Sequence, residues 1–242
     1  MQICAFSDKG QLRDNNEDSF AYKNLDDQNA YMIVCDGMGG RSGGEIASKC
    51  AVDSIVSSFS RSLVKNLPSN TVRHLLESVS VTANQEVYDL AQENADLSGM
   101  GTTLVVAIVS GTNLHIAHAG DSRAYLIRGG RIIQLTVDHS VVQTLIDKGE
   151  LTTEQAKVHP RKNIITRALG VYDSIDIDLN EASLLKDDIV LLCTDGLSNC
   201  ITPDEMVEVF SDNDFENCAK VLVDKANTLG GPDNITAVAA KI

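Results

Sequence analysis

A chain of 242 residues, 43% of them hydrophobic, is long enough to fold around one continuous core, so we expect a single domain over residues 1–242. Its formal charge of −14 repels phosphate backbones, which excludes nucleic acid as an expected partner. No apolar run is long enough to span a membrane, and Asp8 and Lys9 interrupt the region where a signal peptide needs apolar residues. Six scattered cysteines without a Cys-x-x-Cys pair are typical of a reduced compartment. We therefore expect a cytoplasmic protein without a membrane partner, and a monomer.

The first third of the chain contains short β segments followed by two helices. The predicted strands are Ile3–Ser7, Ser19–Tyr22 and Ala30–Cys35. The third is an apolar run that stops at Asp36-Gly37. Apolar residues then recur at helical spacing over Glu45–Leu63 and Thr71–Ala95, with a break at Pro68 between them. This pattern predicts a pair of helices.

The middle of the chain is predicted to be an antiparallel meander with an insertion. The strands are Gly101–Ser110, Asn113–Ala119, Ser122–Arg128 and Arg131–Leu135, and Gly129-Gly130 predicts a tight hairpin between the last two. From Ser140 to Gly149 the apolar spacing becomes helical, and Thr152 with Gln155 fits a capping box that opens a short helix. We interpret these helical segments as an insertion between strands.

The last third returns to strands and ends with two helices and a strand. Predicted strands are Ile175–Leu179 at an edge, Ile189–Thr194 in the centre of a sheet, and Ile235–Ile242. Thr202, Pro203 and Glu205 cap a helix that runs to about Phe210, and a second helix spans Phe215–Leu229. Because runs of strands alternate with paired helices, the pattern favours an α+β fold of antiparallel sheets covered by helices.

Several acids stand beside glycine at the ends of strands. Asp36 and Asp195 each follow an apolar strand directly, where an ionised carboxylate without a partner would cost several kcal/mol. Asp121 and Asp233 occur in similar glycine-rich turns, and Glu17-Asp18 precede another strand. If these acids converge, they form an all-oxygen site suited to Mg²⁺ or Mn²⁺.

A single Asp-Gly pair is more often a β-turn than a metal ligand. Four such acids in one acidic chain, with Arg13 and Arg123 as nearly the only basic neighbours, favour a metal cluster. Cys35 and Cys193 stand beside two of the acids, but their apolar neighbours predict inert core thiols. The sequence therefore offers no convincing cysteine nucleophile.

Six motifs occur in a specific order along the chain. They are Gly10-x-x-Arg13-x-x-Asn16-Glu17-Asp18, Asp36-Gly37-Met38-Gly39-Gly40, Gly101-Thr102-Thr103, Gly120-Asp121-Ser122-Arg123, Thr194-Asp195-Gly196 and Gly231-x-Asp233-Asn234-Ile235-Thr236. With these motifs the chain resembles the metal-dependent protein phosphatase (PPM) family of type 2C, in its compact bacterial form, over nearly its whole length. The resemblance implies a four-layer α-β-β-α sandwich of two antiparallel sheets flanked by helix pairs.

The resemblance also implies roles for individual residues. Asp36 would bridge two tightly bound Mn²⁺ or Mg²⁺ ions, and the carbonyl of Gly37 would add a ligand. Asp195 and Asp233 would hold one of these ions, and a third ion would use Asp121 together with Asp195. Asp18 would anchor waters, with Glu17 as a helper. The metal set is thus Asp18, Asp36, Gly37, Asp121, Asp195 and Asp233.

Catalysis is expected to depend on Asp36, Asp195 and Arg13, with Arg13 binding the phosphate through its planar, permanently charged fork. The alternative for Arg13 is an ion pair with Asp14 or Glu17. The implied reaction is hydrolysis of phosphoserine or phosphothreonine in proteins by a metal-activated water, with a cognate kinase among the partners. An inactive phosphoprotein-binding pseudophosphatase and a small-molecule phosphohydrolase are the alternatives.

Two segments depart from the family pattern or vary within it. Arg41 stands where many bacterial relatives have histidine, and Met38 where the animal type has histidine, so the general acid is unassigned. Arg41 would contact phosphate or a peptide, or would be a solvated loop charge. Residues 140–170, which include the basic stretch His159–Asn163, resemble the family's flap subdomain.

Overall fold

The computed structural model describes residues 1–40, 43–62 and 67–242. Its strands are β1 (Gln2–Asp8), β2 (Asp18–Asn24), β3 (Asn29–Met38), β4 (Gly101–Thr102), β5 (Leu104–Ser110), β6 (Asn113–Ala119), β7 (Arg123–Arg128), β8 (Arg131–Gln134), β9 (Asp178–Ser183), β10 (Ile189–Cys193) and β11 (Ile235–Lys241). Its helices are α1 (Gly43–Ser62), α2 (Ser69–Glu93), α3 (Val141–Asp147), α4 (Thr153–Lys157), α5 (Asp195–Ser198), α6 (Pro203–Asp212) and α7 (Phe215–Thr228), with a 3₁₀ turn at Ala95–Leu97.

The strands form two antiparallel sheets. The first sheet has the order β1-β11-β10-β7-β8. The second has the order β2-β3-β5-β6-β9, and the short β4 pairs with the end of β3. None of the helices in the described ranges is long and apolar enough to cross a membrane.

The apolar residues divide into three layers of core because successive strand residues point to opposite faces. In β3, Met32 and Val34 face the first sheet, whereas Ile33 and Cys35 face α1 and α2. A third apolar layer lies between the first sheet and the helices α6 and α7. Burial on both faces explains why the central strands are apolar throughout. The α-β-β-α sandwich that the resemblance implied is confirmed.

Local signals predicted most of the helix boundaries. Both capping boxes are present, at Thr152 with Gln155 and at Thr202 with Glu205. Helix α1 begins at Gly43 rather than Glu45, and the predicted end of this helix at Leu63 lies outside the described residues. The one-turn helix α5, which begins at Asp195, was not predicted.

Three strand predictions were wrong in their boundaries. Strand β3 continues past the predicted end at Cys35 to Met38, because Gly37 and Met38 pair with β4. The predicted strand Gly101–Ser110 is interrupted at Thr103. The predicted strand Ile175–Leu179 lies instead at Asp178–Ser183, because β6 turns away at Gly120 beyond the pair formed by His118 and Asp178.

Candidate metal centre

Two of the predicted metal ligands are cross-strand neighbours. Asp18 on β2 lies directly opposite Asp36 on β3, so both side chains leave the same face of the second sheet. Oδ2 of Asp18 accepts hydrogen bonds from Thr194 Oγ1 at 2.9 Å and Thr236 Oγ1 at 2.6 Å. Asp18 is only 9% exposed, and its Oδ1 is buried without a hydrogen-bond partner among the described residues. This oxygen is therefore available to a water or an ion.

The backbone around Asp36 is fixed by threonines and by the start of α1. Its N–H donates to Thr103 Oγ1 at 2.9 Å, and its carbonyl accepts from the N–H of Thr103 at 2.8 Å and from Thr102 Oγ1 at 2.9 Å. A Cβ at Gly37 would collide with the carbonyl oxygen of Gly44 in α1. Only glycine permits this close approach of strand and helix beside the Asp36 carboxylate.

Asp195 enters the site from the first sheet. It is the first residue of α5, separated from the end of β10 by Thr194, and Asn199 Nδ2 donates to its Oδ2 at 3.0 Å. Its carboxyl group lies within hydrogen-bonding reach of that of Asp36. The two sheets thus bring together the two acids that were predicted from their strand ends.

Asp233 lies next to the predicted phosphate-binding arginine. Arg13 Nη2 donates to Asp233 Oδ2 at 2.8 Å, and this contact raises the pKa of Arg13. The pair therefore differs from the alternative predicted for Arg13, because the partner is neither Asp14 nor Glu17. The Arg13 side chain is 52% exposed and so remains accessible from solvent.

Asn234 organises the loops on this side of the site and was not assigned a role from the sequence. Its Oδ1 accepts from the N–H of Glu17 at 2.8 Å. Its Nδ2 donates to the carbonyls of Lys9 at 2.9 Å and Asn15 at 2.8 Å. Only its position inside the last motif signalled it; Thr236 belongs to the same motif, and Thr103 and Thr194 were likewise signalled only by the motifs that contain them.

Burial disfavours the charged forms of these acids. It is the largest cause that raises the pKa of Asp18 to about 7 and the pKa of Asp195 to about 6, with neighbouring carboxylates adding to both. Burial and four neighbouring aspartates also raise the pKa of Asp36 well above its ordinary value. Without a cation, Asp18 and Asp195 would therefore be partly protonated near neutral pH.

Asp121 belongs to the same electrostatic cluster. Burial, followed by repulsion from Asp195 and Asp138, raises the pKa of Asp121 to about 8. Arg123 does little to neutralise it, because this guanidinium is bound to Asp138 through Nη2 at 2.6 Å and Nε at 2.9 Å. The structure therefore brings all five predicted aspartates together, while their action as ligands stays a prediction.

The donor set fits a hard divalent cation. All the converging side chains are carboxylates, and the unpartnered Oδ1 of Asp18 is an oxygen that an ion or its waters would satisfy. Cys35 and Cys193 are 0% exposed, and burial raises the pKa of the Cys193 thiol to about 12. Both cysteines lie in the core, as predicted, and neither competes as a soft ligand.

The structure describes the flap and one of the two positions, 38 and 41, at which the chain departs from the family pattern. The helices α3 and α4 fall within residues 140–170, and the side chains of Arg161 and Lys162 are exposed. Met38, at the end of β3, lines a cavity of about 300 Å³ together with residues 165–168. Arg41 lies outside the described residues, so its predicted contacts stay predictions.

Two antiparallel sheets between helix layers, with an acidic oxygen site where their strands end, define the class of metal-dependent phosphatases. The family model for protein phosphatase 2C matches residues 11–227, and the chain belongs to this family. The resemblance inferred from the six motifs is thereby confirmed.

Curated relatives and solved structures agree with this assignment. The serine/threonine phosphatase stp of Listeria innocua is 39% identical over 233 residues, which cover 96% of this chain and 92% of the relative. The serine/threonine phosphatase of S. agalactiae superposes with a TM-score of 0.92 at 33% identity, covering 100% of this chain and 99% of that structure. The catalytic domain of PstP, solved in complex with two manganese ions, gives a TM-score of 0.87 at 33% identity, with 99% and 97% covered.

Proposed function

We propose that this protein is a metal-dependent phosphatase that removes phosphate from phosphoserine and phosphothreonine in proteins. The observation that carries the proposal is the convergence of five aspartates, with little positive charge among them, at one end of the sandwich beside an accessible arginine. The names of the relatives, serine/threonine phosphatases, support the substrate class. The two manganese ions in the PstP structure support dependence on Mn²⁺ or Mg²⁺.

We assign the ions to the residues that the resemblance implies. Asp36 and the carbonyl of Gly37 would hold the tightly bound pair together with Asp195 and Asp233, and Asp18 would orient bound water. Asp121, with Asp195, would hold a third ion. When bound, such ions supply a water of lowered pKa and neutralise charge on the phosphoryl group.

Arg13 is proposed to bind the phosphate of the substrate. Within the part of the chain that the structure describes, its one hydrogen bond goes to Asp233, which leaves donors of the guanidinium fork available to phosphate oxygens. The same bond fixes the side chain beside the acids, so a bound phosphate would be presented to the ions rather than to solvent. Asp36 and Asp195 contribute to catalysis as ligands on the two sheets.

The alternatives are less well supported. A pseudophosphatase would be expected to lack part of the acid set, whereas Asp18, Asp36, Asp121, Asp195 and Asp233 are all present. A small-molecule phosphohydrolase would use the same ions and differ only in substrate. The family relationship favours protein substrates, and the rates on peptides and free metabolites separate the two.

The proposal extends to the partner, the location and the oligomeric state of the protein. Phosphoprotein substrates imply a serine/threonine kinase that makes them, and we propose a cognate kinase as a partner. The six cysteines are all free, which supports a reducing, cytoplasmic location. We further propose a monomer that forms one catalytic domain over residues 1–242, with a flap subdomain at about 140–170.

The test is hydrolysis of a phosphothreonine peptide with Mn²⁺, with Mg²⁺ and after chelation. We expect turnover with either ion and loss of turnover with the chelator. The same peptide with phosphotyrosine, and phosphorylated metabolites at equal concentration, serve as comparison substrates. Undiminished hydrolysis in the chelator would refute the metal-dependent reaction, and faster hydrolysis of metabolites would favour the small-molecule alternative.

A further inference from the structure

A second polar cluster lies where β6 and β9 end and the flap begins. We call it the histidine cluster, and it consists of His118, His139, Arg167 and Asp178. His118 and Asp178 are cross-strand neighbours, and the rings of His118 and His139 stack with their centroids 4.6 Å apart. One ligand-type atom each from His118, His139 and Asp178 lies within 4.8 Å of the others.

The charges in this cluster are balanced without a metal ion. Arg167 Nη1 lies 2.6 Å from Asp178 Oδ1 and 3.0 Å from His139 Nε2, so a divalent cation would have to displace the guanidinium. Burial lowers the pKa of His118 to about 4, which keeps this ring neutral. The cluster is therefore better suited to fixing a side chain in place than to binding an ion.

His139 holds both polar groups of Gly120. The N–H of Gly120 donates to His139 Nδ1 at 3.0 Å, and the N–H of His139 donates to the carbonyl of Gly120 at 2.7 Å. Because Nδ1 accepts a hydrogen bond, the proton of the neutral ring is on Nε2, which donates to Asp178 Oδ2 at 3.1 Å. Arg167 Nη1, 3.0 Å from the same nitrogen, then donates to Asp178 Oδ1 and not to the ring. Asp178 thus fixes both the tautomer and the orientation of the ring.

Gly120 immediately precedes Asp121 and determines the direction in which that residue leaves β6. Its φ of +118° is unfavourable for other residues, and an added Cβ would lie 2.6 Å from Thr103 Cγ2. On the other side of Asp121, Ser122 Oγ lies 2.7 Å from Thr103 Oγ1. The turn around Asp121 is therefore held between Thr103 and His139.

The base of the flap is attached at the same residue. The carbonyl of His139 accepts from the N–H of Thr166 at 2.8 Å, and Ser140 pairs with Ile165. The N–H of Val141 donates to the carbonyl of Ile164 at 2.9 Å. His139 is thus anchored by both ends of the flap in addition to its hydrogen bonds with Gly120.

We propose that His139, oriented by Asp178, is a positioning residue that holds Gly120 so that Asp121 is presented to the third cation. This inference rests on the proposed role of Asp121 in binding that cation. His139 is not one of the proposed ligands, and its effect passes through its hydrogen bonds to the backbone of Gly120.

Two substitutions at His139 separate its contact with the Gly120 N–H from its contact with Asp178. In His139→Asn the amide oxygen can take the place of Nδ1 and accept from Gly120, but the contact with Asp178 is lost. In His139→Gln the longer side chain can reach Asp178 but does not offer an acceptor at the Nδ1 position. His115→Asn is the control, because His115 is 2% exposed on the same strand as His118 but lies on the opposite face, with its Nδ1 3.4 Å from Glu181 Oε1.

Three quantities are measured: hydrogen exchange of the Gly120 amide by NMR, Mn²⁺ binding by calorimetry, and the Mn²⁺ concentration that gives half the maximal rate on the phosphothreonine peptide. We expect His139→Gln to accelerate hydrogen exchange at Gly120 and to raise the Mn²⁺ concentration for half the maximal rate roughly tenfold. A loss of this size is usual when a residue that orients a metal ligand is removed. The affinity of the two tightly bound ions should be unchanged. His139→Asn, which keeps the acceptor for Gly120 but loses the contact with Asp178, should show a smaller effect than His139→Gln. His115→Asn should resemble the unsubstituted protein, and Asp121→Ala combined with His139→Gln should equal Asp121→Ala alone.

Several outcomes would overturn the proposal. The first is that His139→Gln accelerates exchange at Gly120 but leaves the Mn²⁺ concentration for half the maximal rate unchanged. The second is that His139→Asn or His115→Asn raises this concentration as much as His139→Gln does. If Asp121→Ala itself left the response to Mn²⁺ unchanged, the third-cation role of Asp121 would fail as well. If Asp121→Ala needed more Mn²⁺ for half its maximal rate but His139→Gln did not, only the positioning role of His139 would be refuted.

Discussion

Thr236 on the first sheet donates a hydrogen bond of 2.6 Å to Asp18 on the second sheet, and 218 residues separate the two in the chain. The bond crosses the interior of the sandwich and ends on the carboxylate that faces Asp36. The position of one candidate ligand is thus coupled to the docking of the two sheets. Thr194, next to Asp195, makes the second bond to the same oxygen at 2.9 Å.

Thr236→Val should lower the stability of the metal-free protein. Valine keeps the shape of threonine but leaves Asp18 with one donor fewer in a buried site, which costs about 1–3 kcal/mol. Urea unfolding in the presence of a chelator measures the free energy of unfolding. Thr82→Val is the control, because the exposed Thr82 hydroxyl donates to the carbonyl of Ser78 in its own helix α2. Equal losses for the two variants would contradict the coupling.

Asp195→Asn should remove turnover while keeping the fold. The amide is a weaker ligand than a carboxylate, so we expect a loss of at least about a hundredfold in turnover and weaker Mn²⁺ binding. Because the substitution also removes a repelling charge from the cluster, the metal-free variant should unfold at the same temperature or a higher one. Calorimetry and peptide hydrolysis measure these effects, and full activity at excess Mn²⁺ would refute the assignment.

The metal-free protein should lose stability as the pH rises from about 5 to about 8. Asp18, Asp121 and Asp195 have folded-state pKa values of about 7, 8 and 6. All three lie above the unfolded value of about 3.9, so the native state binds more protons in this range and stability falls as they leave. Thermal unfolding at several pH values in a chelator tests the slope. Mn²⁺ should reverse it, because the ion binds the deprotonated acids, and a flat profile in chelator would contradict the pKa shifts.

Arg13→Ala should mainly raise KM for the phosphothreonine peptide. Loss of charge-assisted hydrogen bonds to phosphate is worth about 1.5–3 kcal/mol, which corresponds to roughly tenfold or more in KM. Arg13→Lys keeps the charge but lacks the fork, so it should recover only part of the loss. Arg131→Ala, at the exposed hairpin between β7 and β8, is the control. An unchanged KM in Arg13→Ala would mean that the pair with Asp233 is purely structural.

Helix caps could be predicted from the sequence, whereas the position of one edge strand could not. The capping boxes at Thr152 and Thr202 were predicted correctly because both partners lie within one turn of helix. The strand predicted at 175–179 was wrong because its alternating pattern does not reveal where the partner strand β6 ends. Ile175 and Ile177 still pack against the core, although they are not in a strand.

By itself the sequence determined antiparallel sheets covered by helices and the acids that stand at strand ends, and the family that its motifs resemble implied the four-layer sandwich and the set of five aspartates. Apolar periodicity and acid-glycine pairs are local patterns, and buried carboxylates at strand ends require compensation in any fold. Only the tertiary structure decided which groups meet: Arg13 with Asp233, Arg123 with Asp138, and His139 with Gly120. These contacts join segments whose distance depends on sheet register and docking, and neither is encoded within the span of one strand or helix.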